Sequence, residues 1–249
     1  MKFPISILVV ASLLAGCSAT RTTSAGGQML KDGITLKMTG KQGDQDRYKV
    51  LTEMTFDMSN MPQPNGKAPK DTKMTTSLSM DTVNTLKSVA EGKFTWNIRF
   101  EDVQVTGNMP GADTAKQLKG KESTVVLDEK GKLLSVSGEL EQIMGTSGGS
   151  IAIELPKKKL RVGDTWDAVT EVSGTQMTTT YKVESIEKVD FEDALHVTGT
   201  IKPNSAVKND GPVKAWISTE TGRILKSEAT IELIELGGAK VKASITKVG

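Results

Sequence analysis

The chain has 249 residues, of which 37% are hydrophobic and only 4% aromatic, and its 32 basic and 30 acidic residues nearly cancel. This balance excludes the strongly basic composition typical of nucleic-acid-binding proteins. The single cysteine, Cys17, excludes a disulfide within the chain. About 220 residues follow Gln28, which is enough for one large β domain or two small ones.

The chain begins with a segment typical of an export signal. A basic residue, Lys2, precedes an apolar run from Ile5 to Leu14, and small residues then lead to Cys17. A signal peptide has this order of a cationic tip, an apolar core of about 7–15 residues and a small-residue cleavage site. The apolar run is too short for a membrane-spanning helix, which needs about 20 residues. We therefore predict a signal peptide over residues 1–16.

The segment Leu14-Ala15-Gly16-Cys17 resembles the lipobox of bacterial lipoproteins. That resemblance implies that Cys17 is the mature N-terminus and carries a diacylglyceryl thioether, with palmitate or a similar N-acyl group. Anchoring by more than one acyl chain is stable, whereas a single chain is marginal. Ser18, rather than Asp, follows the cysteine, which implies an anchor in the outer membrane facing the periplasm. The expected membrane contact is thus through Cys17.

Residues 17–28 are small and polar without periodicity, which predicts a flexible tether. From Ile34 onward apolar and polar residues alternate, as in half-buried strands. Predicted strands include residues 48–58, 74–80, 94–100, 124–127, 133–137, 178–185, 194–201, 213–218, 225–233 and 241–245. A shift of the alternation predicts a bulge near Glu101 and Asp102. Short helices are predicted over residues 113–119 and 139–144.

These elements predict a mainly antiparallel, curved β sheet or half-barrel over residues 29–249, with a β-sandwich or a closed barrel as alternatives. Two hairpins, Val126–Leu134 and Ile217–Leu225, share a polar turn with glycine followed by a basic residue. This similarity favours two related halves, residues 29–150 and 151–249. Convergence of two unrelated hairpins on the same turn chemistry is the alternative.

The segment Leu155-Pro156 to Val162-Gly163-Asp164-Thr165-Trp166, with its intervening basic residues, resembles uncharacterised bacterial envelope lipoproteins. Proteins of that kind are similar in architecture to the Lol-type (LolA- and LolB-like) lipoprotein carriers, which are half-barrels around an apolar concavity. The resemblance implies a fold and a lipid site, not a known activity. From the residues alone, Gly163 and Asp164 predict a tight turn, and Lys157–Lys159 with Arg161 predict a solvated basic loop.

Motifs for catalysis are weak in this chain, and we predict that it is not an enzyme. Residues 145–149 satisfy G-x-S-x-G around Ser147, but the strand-to-helix order that a nucleophile elbow requires is missing. His196 is the only histidine, and Cys17 is committed to the anchor, so a His/Cys zinc site is not expected. No cofactor or metal is predicted.

Methionine and aromatic side chains provide the main functional indication. They fall on the apolar faces of successive predicted strands, where thioethers suit apolar partners of irregular shape. The candidate ligand-binding residues are Met54, Phe56, Met58, Met74, Met80, Phe94 and Trp96, with Met177 on a later strand. The sequence therefore predicts an anchored, non-catalytic protein that binds a lipid or another apolar ligand. The alternative is a structural or protein-interaction module of the envelope whose apolar face is a filled core.

Overall fold

The computed structural model describes residues 32–57, 73–107, 115–144, 153–172, 175–204, 207–208, 210–234 and 238–249. The signal peptide, Cys17, the tether, Met58 and the loop around Ser147 lie outside these residues, so the predictions made for them stay predictions. None of the helices in the described part is long and apolar enough to cross a membrane.

Eleven strands and one short helix have both ends within the described residues, and residues 115–116 are also helical. The strands are β1 (Gln45–Asp57), β2 (Lys73–Ala90), β3 (Lys93–Thr106), β4 (Glu122–Asp128), β5 (Leu133–Gly138), β6 (Thr165–Val172), β7 (Thr175–Val189), β8 (Glu192–Ile201), β9 (Gly211–Ser218), β10 (Ile224–Leu233) and β11 (Ala239–Lys247). The helix α1 (Glu139–Met144) lies between β5 and β6. The predicted helix over residues 139–144 is therefore confirmed.

All eleven strands form one antiparallel sheet in the order β5-β4-β3-β2-β1-β11-β10-β9-β8-β7-β6. Neighbours in the chain are neighbours in the sheet, except that β5 and β6 lie at opposite edges. The first strand, β1, pairs with the last, β11. The edge strands β5 and β6 do not pair with each other in the described residues. The prediction of an open antiparallel sheet is thus confirmed, and the alternatives of a sandwich and a closed barrel are wrong.

The sheet is strongly curled, as backbone contacts at one end require. The adjacent residues Met38 and Thr39 donate to the carbonyls of Glu129, in the β4–β5 turn, and Thr221, in the β9–β10 turn. The nearest strands of those two turns, β4 and β10, are five strand spacings apart, or about 24 Å in a flat sheet, whereas consecutive Cα atoms are only about 3.8 Å apart. The sheet must therefore bend back on itself.

Two non-strand segments close this end of the sheet. The first connector (residues 34–44) precedes β1, and the second connector (residues 153–164) precedes β6. In the second connector, Leu155 donates to the carbonyl of Lys130, while the carbonyl of Glu154 accepts from Trp166 Nε1 in β6. These bonds hold the two edges of the sheet together across a seam. We call this the closed end; the longer connections between strands lie at the opposite, loop end.

The bulge predicted near Glu101 is confirmed. Asp81 pairs with Asp102 and Thr82 pairs with Phe100, so Glu101 has no opposite residue and the ladder shifts by one. Further register shifts interrupt the β2–β3, β4–β5, β7–β8 and β9–β10 pairs. Because bulges increase the local twist and bend the bulged strand, they allow the sheet to curl while its inner face stays apolar.

The turns that precede β1 and β6 make the same four hydrogen bonds. In the first turn, Asp44 Oδ2 accepts from the Lys41 N–H, and the Asp44 N–H donates to the Lys41 carbonyl. The Gly43 N–H donates to the Leu86 carbonyl, and the Leu86 N–H donates to the Asp44 carbonyl. In the second turn, the corresponding residues are Arg161, Gly163, Asp164 and Val183. Gly43 and Gly163 both have positive φ, 92° and 87°. The tight turn predicted at Gly163-Asp164 is confirmed, and the shared pattern supports the hypothesis of two related halves.

We predict that Gly222→Ala destabilises the protein more than Gly92→Ala. Both glycines have similar positive φ, 69° and 71°, so alanine is strained at either site. At Gly222, however, a Cβ would also collide with the Lys37 carbonyl oxygen in the first connector, whereas nothing lies within 4 Å at Gly92. We expect an additional loss of about 1–3 kcal/mol in urea unfolding of the full chain. Equal losses in the two variants would contradict this account of the closed end.

Candidate functional site

The inner face of the sheet is the face that its curl encloses. Along β1 the side chains from Asp46 to Phe56 alternate, with every second one buried and those between them mostly exposed. The register carries this buried face through β2 and β3 on one side, and through β11 to β6 on the other. Most of the buried apolar residues form one core on this face, to which the first connector contributes Ile34, Leu36 and Met38.

The predicted ligand-binding residues that the structure describes lie on this inner face. Met54, Phe56, Met80, Phe94 and Trp96 are at most 5% exposed. Met74 lies opposite Phe56 and is partly buried against the core, as is Met177 in β7.

These residues follow the length of the sheet instead of forming one cluster. Met54, Phe56 and Met74 lie towards the loop end, whereas Phe94 and Trp96 lie near the closed end, with Trp96 opposite Leu86. Met74 and Leu86 are separated by about 40 Å along β2 at the usual rise per strand residue. The inner face is therefore an elongated apolar surface.

Arg223 is the most buried charged group at the closed end. It is 1% exposed, and its guanidinium lies 4.9 Å from the centre of the Trp96 ring. Its Nε and Nη2 atoms both donate to the carbonyl of Thr39, and Nη1 lies 3.4 Å from Asp46 Oδ2. Asp44 Oδ2 is 3.7 Å from Nη2. The side chain of Arg223, in the β9–β10 turn, therefore holds the first connector, β1 and β3 together.

Lys247 completes the buried charge network. Its Nζ lies 3.4 Å from Asp46 Oδ1 and 2.7 Å from Glu192 Oε1. Burial lowers the pKa of Lys247, but the hydrogen bond to Glu192 and the charge of Asp46 outweigh that effect and raise its pKa overall. Lys247 is therefore charged at neutral pH, and the carboxylates of Asp44 and Asp46 face two cations.

Some inner-face polar atoms have no protein partner among the described residues. They are Thr76 Oγ1, Thr82 Oγ1, Trp96 Nε1 and both side-chain atoms of Asn84. An unpaired buried donor or acceptor costs about 1–3 kcal/mol, and this is why such groups are rare in folded proteins. Three of these side chains, Thr82, Asn84 and Trp96, lie near the buried charge network. The sequence predictions included Trp96 but missed Thr82 and Asn84.

A cleft of about 280 Å³ lies at the seam, between the β4–β5 turn and the start of β6. Lys130, Lys132 and Lys157 line it together with Asp128, Glu154 and Asp167, so its charges balance. Its position and its six charged lining residues distinguish it from the apolar cavity that a lipid site on the inner face would present. Of the basic loop, Lys157, Lys158, Lys159 and Arg161 are exposed.

His196 lies on the outer face of the sheet, in β8. Its ring stacks on Trp216 with centroids 4.7 Å apart, and its Nδ1 is 2.9 Å from Glu187 Oε1. Hydrogen bonds from Trp216 Nε1 and the Ser185 hydroxyl lower the pKa of Glu187. A carboxylate is thus within reach of His196, but Ser185 donates to Glu187 instead of to the histidine. In the described residues, no group of three His, Cys, Asp or Glu side chains is placed to hold a metal.

Comparisons with known proteins identify no family for this chain. No family model and no curated protein matches the sequence. One solved structure that the chain resembles is a LolA superfamily protein from Nitrosomonas europaea, with 10% identity over 90% of this chain and 92% of that one. The TM-score of 0.24 is too low to support an argument about fold or function. The fold described above therefore rests on the hydrogen-bonded sheet itself.

We predict that Arg223→Ala lowers the free energy of unfolding by about 3–5 kcal/mol, the cost of breaking a buried ion pair. The variant loses the hydrogen bonds to Thr39 and leaves the carboxylates of Asp44 and Asp46 with less positive charge beside them. Arg99→Ala is the control, because Arg99 pairs with Glu101 at 2.7 Å in an exposed position, where the loss is below about 1 kcal/mol. Urea unfolding of both full-length variants measures the difference. A loss of under 1 kcal/mol for Arg223→Ala would contradict its role at the closed end.

Proposed function

We propose that this protein is a lipid-anchored protein of the bacterial envelope that binds a lipid or another apolar molecule on the inner face of its sheet, without covalent chemistry. The observation that carries the proposal is an elongated apolar inner face, enclosed by a curled sheet whose edge strands, β5 and β6, do not pair with each other in the described residues. A closed barrel has a fixed circumference, because each strand is bonded on both sides. An open sheet can widen at its seam without breaking the ladder between strands.

The side chains on this face suit such a role. Met54, Met74 and Met80 line it from the loop end towards its middle, and flexible thioether side chains repack around apolar partners of varied shape. Because the first connector seals the closed end, a ligand would enter from the loop end or at the seam.

A structural or protein-interaction role in the envelope is the second candidate. It is favoured by the burial of Met54, Met80 and Trp96, each at most 1% exposed, because side chains of the chain itself then fill the core. In that case the inner face stabilises the fold, and the edges or loops contact another envelope protein. Extraction of bound lipid distinguishes the two candidates.

We predict that the full chain carrying Cys17→Ala, which has no acyl group of its own, co-purifies with stoichiometric lipid from bacterial cells. Adding Met54→Gln places an amide of similar length on the inner face, and we expect about tenfold less bound lipid, because a buried unpaired amide costs about 1–3 kcal/mol. Leu51→Gln is the matched control, because Leu51 lies on the outer face of the same strand and is 38% exposed.

The measurement is solvent extraction followed by mass spectrometry, with circular dichroism to verify folding. A well-folded protein without bound lipid would favour the structural candidate, and equal lipid in the Met54 and Leu51 variants would contradict binding on the inner face.

The anchor itself is tested separately. We predict that labelled palmitate is incorporated into the wild-type chain in bacterial cells, and that Cys17→Ser abolishes incorporation, since Cys17 is the only thiol available for acylation. Ser18→Ala keeps the cysteine and is expected to retain the label. Membrane fractionation then shows whether the labelled protein lies in the outer membrane. Label that persists in Cys17→Ser would refute the lipobox interpretation.

A further inference from the structure

A group of unpaired polar side chains lies on the inner face near the closed end. Asn84 in β2 stands opposite Ile98 in β3, and Trp96 is two residues from Ile98, so Asn84 and Trp96 are diagonal neighbours. Such neighbours are roughly 7–8 Å apart and within reach of long side chains. Thr82 is two residues from Asn84 on the same face. All three side chains are at most 1% exposed.

The fold does not require polar residues at this place, because the second half has aromatic ones there. The shared turns align Leu86 with Val183 and Asp44 with Asp164. Asp46 and Asn84, which pair across β1 and β2, therefore correspond to Trp166 and Tyr181, which pair across β6 and β7. Trp166 and Tyr181 stack with centroids 5.0 Å apart. The equivalent backbone therefore accepts an aromatic pair. Formation of the sheet thus does not explain the buried amide of Asn84.

Arg223 fixes the Trp96 ring while leaving its N–H available. The guanidinium lies over the face of the ring, whereas the indole N–H points out of the ring edge and has no protein acceptor in the described residues. Trp96 Nε1, Asn84 Nδ2 and the Thr82 hydroxyl are donors, and Asn84 Oδ1 and Thr82 Oγ1 are acceptors. A matching ligand therefore carries at least one carbonyl and one hydroxyl or N–H group.

The charges next to this group argue for an uncharged ligand head. Arg223 is balanced by Asp44 and Asp46, and Lys247 by Asp46 and Glu192. An anionic phosphate or carboxylate brought into this interior would meet cations that carboxylates already neutralise, and burying an unpaired charge is costly. A neutral ester or amide head meets no such penalty.

We propose that Thr82, Asn84 and Trp96 form a polar subsite that binds the uncharged, hydrogen-bonding head of an acyl lipid, such as the ester and hydroxyls of a monoacylglycerol. This subsite rests on the proposed binding of an apolar ligand on the inner face. The acyl chain extends from it towards the loop end, along Met80 and Leu78 of β2 and Met54 of β1. From Asn84 to Leu78 the strand covers about 20 Å, a length that suits a long acyl chain.

The test measures binding of 1-monooleoylglycerol and of oleate to the full chain carrying Cys17→Ala, by native mass spectrometry and by quenching of tryptophan fluorescence. We expect the neutral probe to bind at least tenfold more tightly than oleate. Asn84→Leu removes the amide with a small change of shape, and Trp96→Phe removes the indole N–H together with part of the ring. Each is expected to weaken binding of the neutral probe about tenfold. Thr76→Val is the matched control, because Thr76 is also buried, unpaired and on the inner face, but lies towards the loop end.

The outcomes separate this subsite from the proposed function. Binding of both probes with equal affinity, or binding of the neutral probe that Asn84→Leu and Trp96→Phe leave unchanged, would overturn the subsite and leave the inner-face proposal standing. If neither probe binds, both the subsite and the proposed binding on the inner face are overturned. If Asn84→Leu raises the melting temperature while binding is unaffected, the polar atoms are only a cost to the fold, which also overturns the subsite. If Asn84→Leu fails to fold, the binding of the neutral probe to Trp96→Phe and Thr82→Val tests the subsite instead.

Discussion

The buried guanidinium of Arg223 is the interaction on which the closed end depends. It bonds the first connector through Thr39, faces Asp44 and Asp46, and stacks on Trp96 in β3. Without it, a curled open sheet would have two carboxylates facing its core with Lys247 as the nearest described cation. Because the β9–β10 turn, β1 and β3 are far apart in a flat sheet, this network also keeps the sheet curled at that end.

The two halves stabilise each other by exchanging connectors. The connector before β1 bonds the carbonyl of Thr221 in the second hairpin, and the connector before β6 bonds the carbonyl of Lys130 in the first. Lys130 and Thr221 each precede the glycine of their turn, so the two contacts correspond. The β1–β11 pairing joins the halves along the sheet. Neither half therefore has a complete closed end by itself, and this explains why the chain forms one sheet instead of two small domains.

The contrast between the halves suggests how one framework carries two kinds of interior. In the second half the position next to the turn holds the stacked pair of Trp166 and Tyr181, and burial raises the pKa of the Tyr181 hydroxyl, which keeps it neutral. In the first half the same position holds Asp46 and Asn84. The polar interior of the first half is adjacent to an elongated apolar face, and this combination is the basis of the proposed lipid subsite.

Ten of the strands, the bulge at Glu101 and the helix α1 followed from local pattern, because alternation, glycine turns and a bulge are visible within a few residues. The second part of β2 was missed, since Thr82 and Asn84 put polar side chains at inner positions and interrupt the alternation; β6 was not recognised beyond Trp166. The same two polar residues belong to the proposed subsite, so the pattern failed at the residues on which that proposal rests. The strand pattern and the prediction of an anchor at Cys17 come from the residues alone. The curl, the burial of Arg223 and the meeting of the edges required the folded chain, because they depend on contacts between distant residues such as Arg223 and Thr39, which are 184 positions apart.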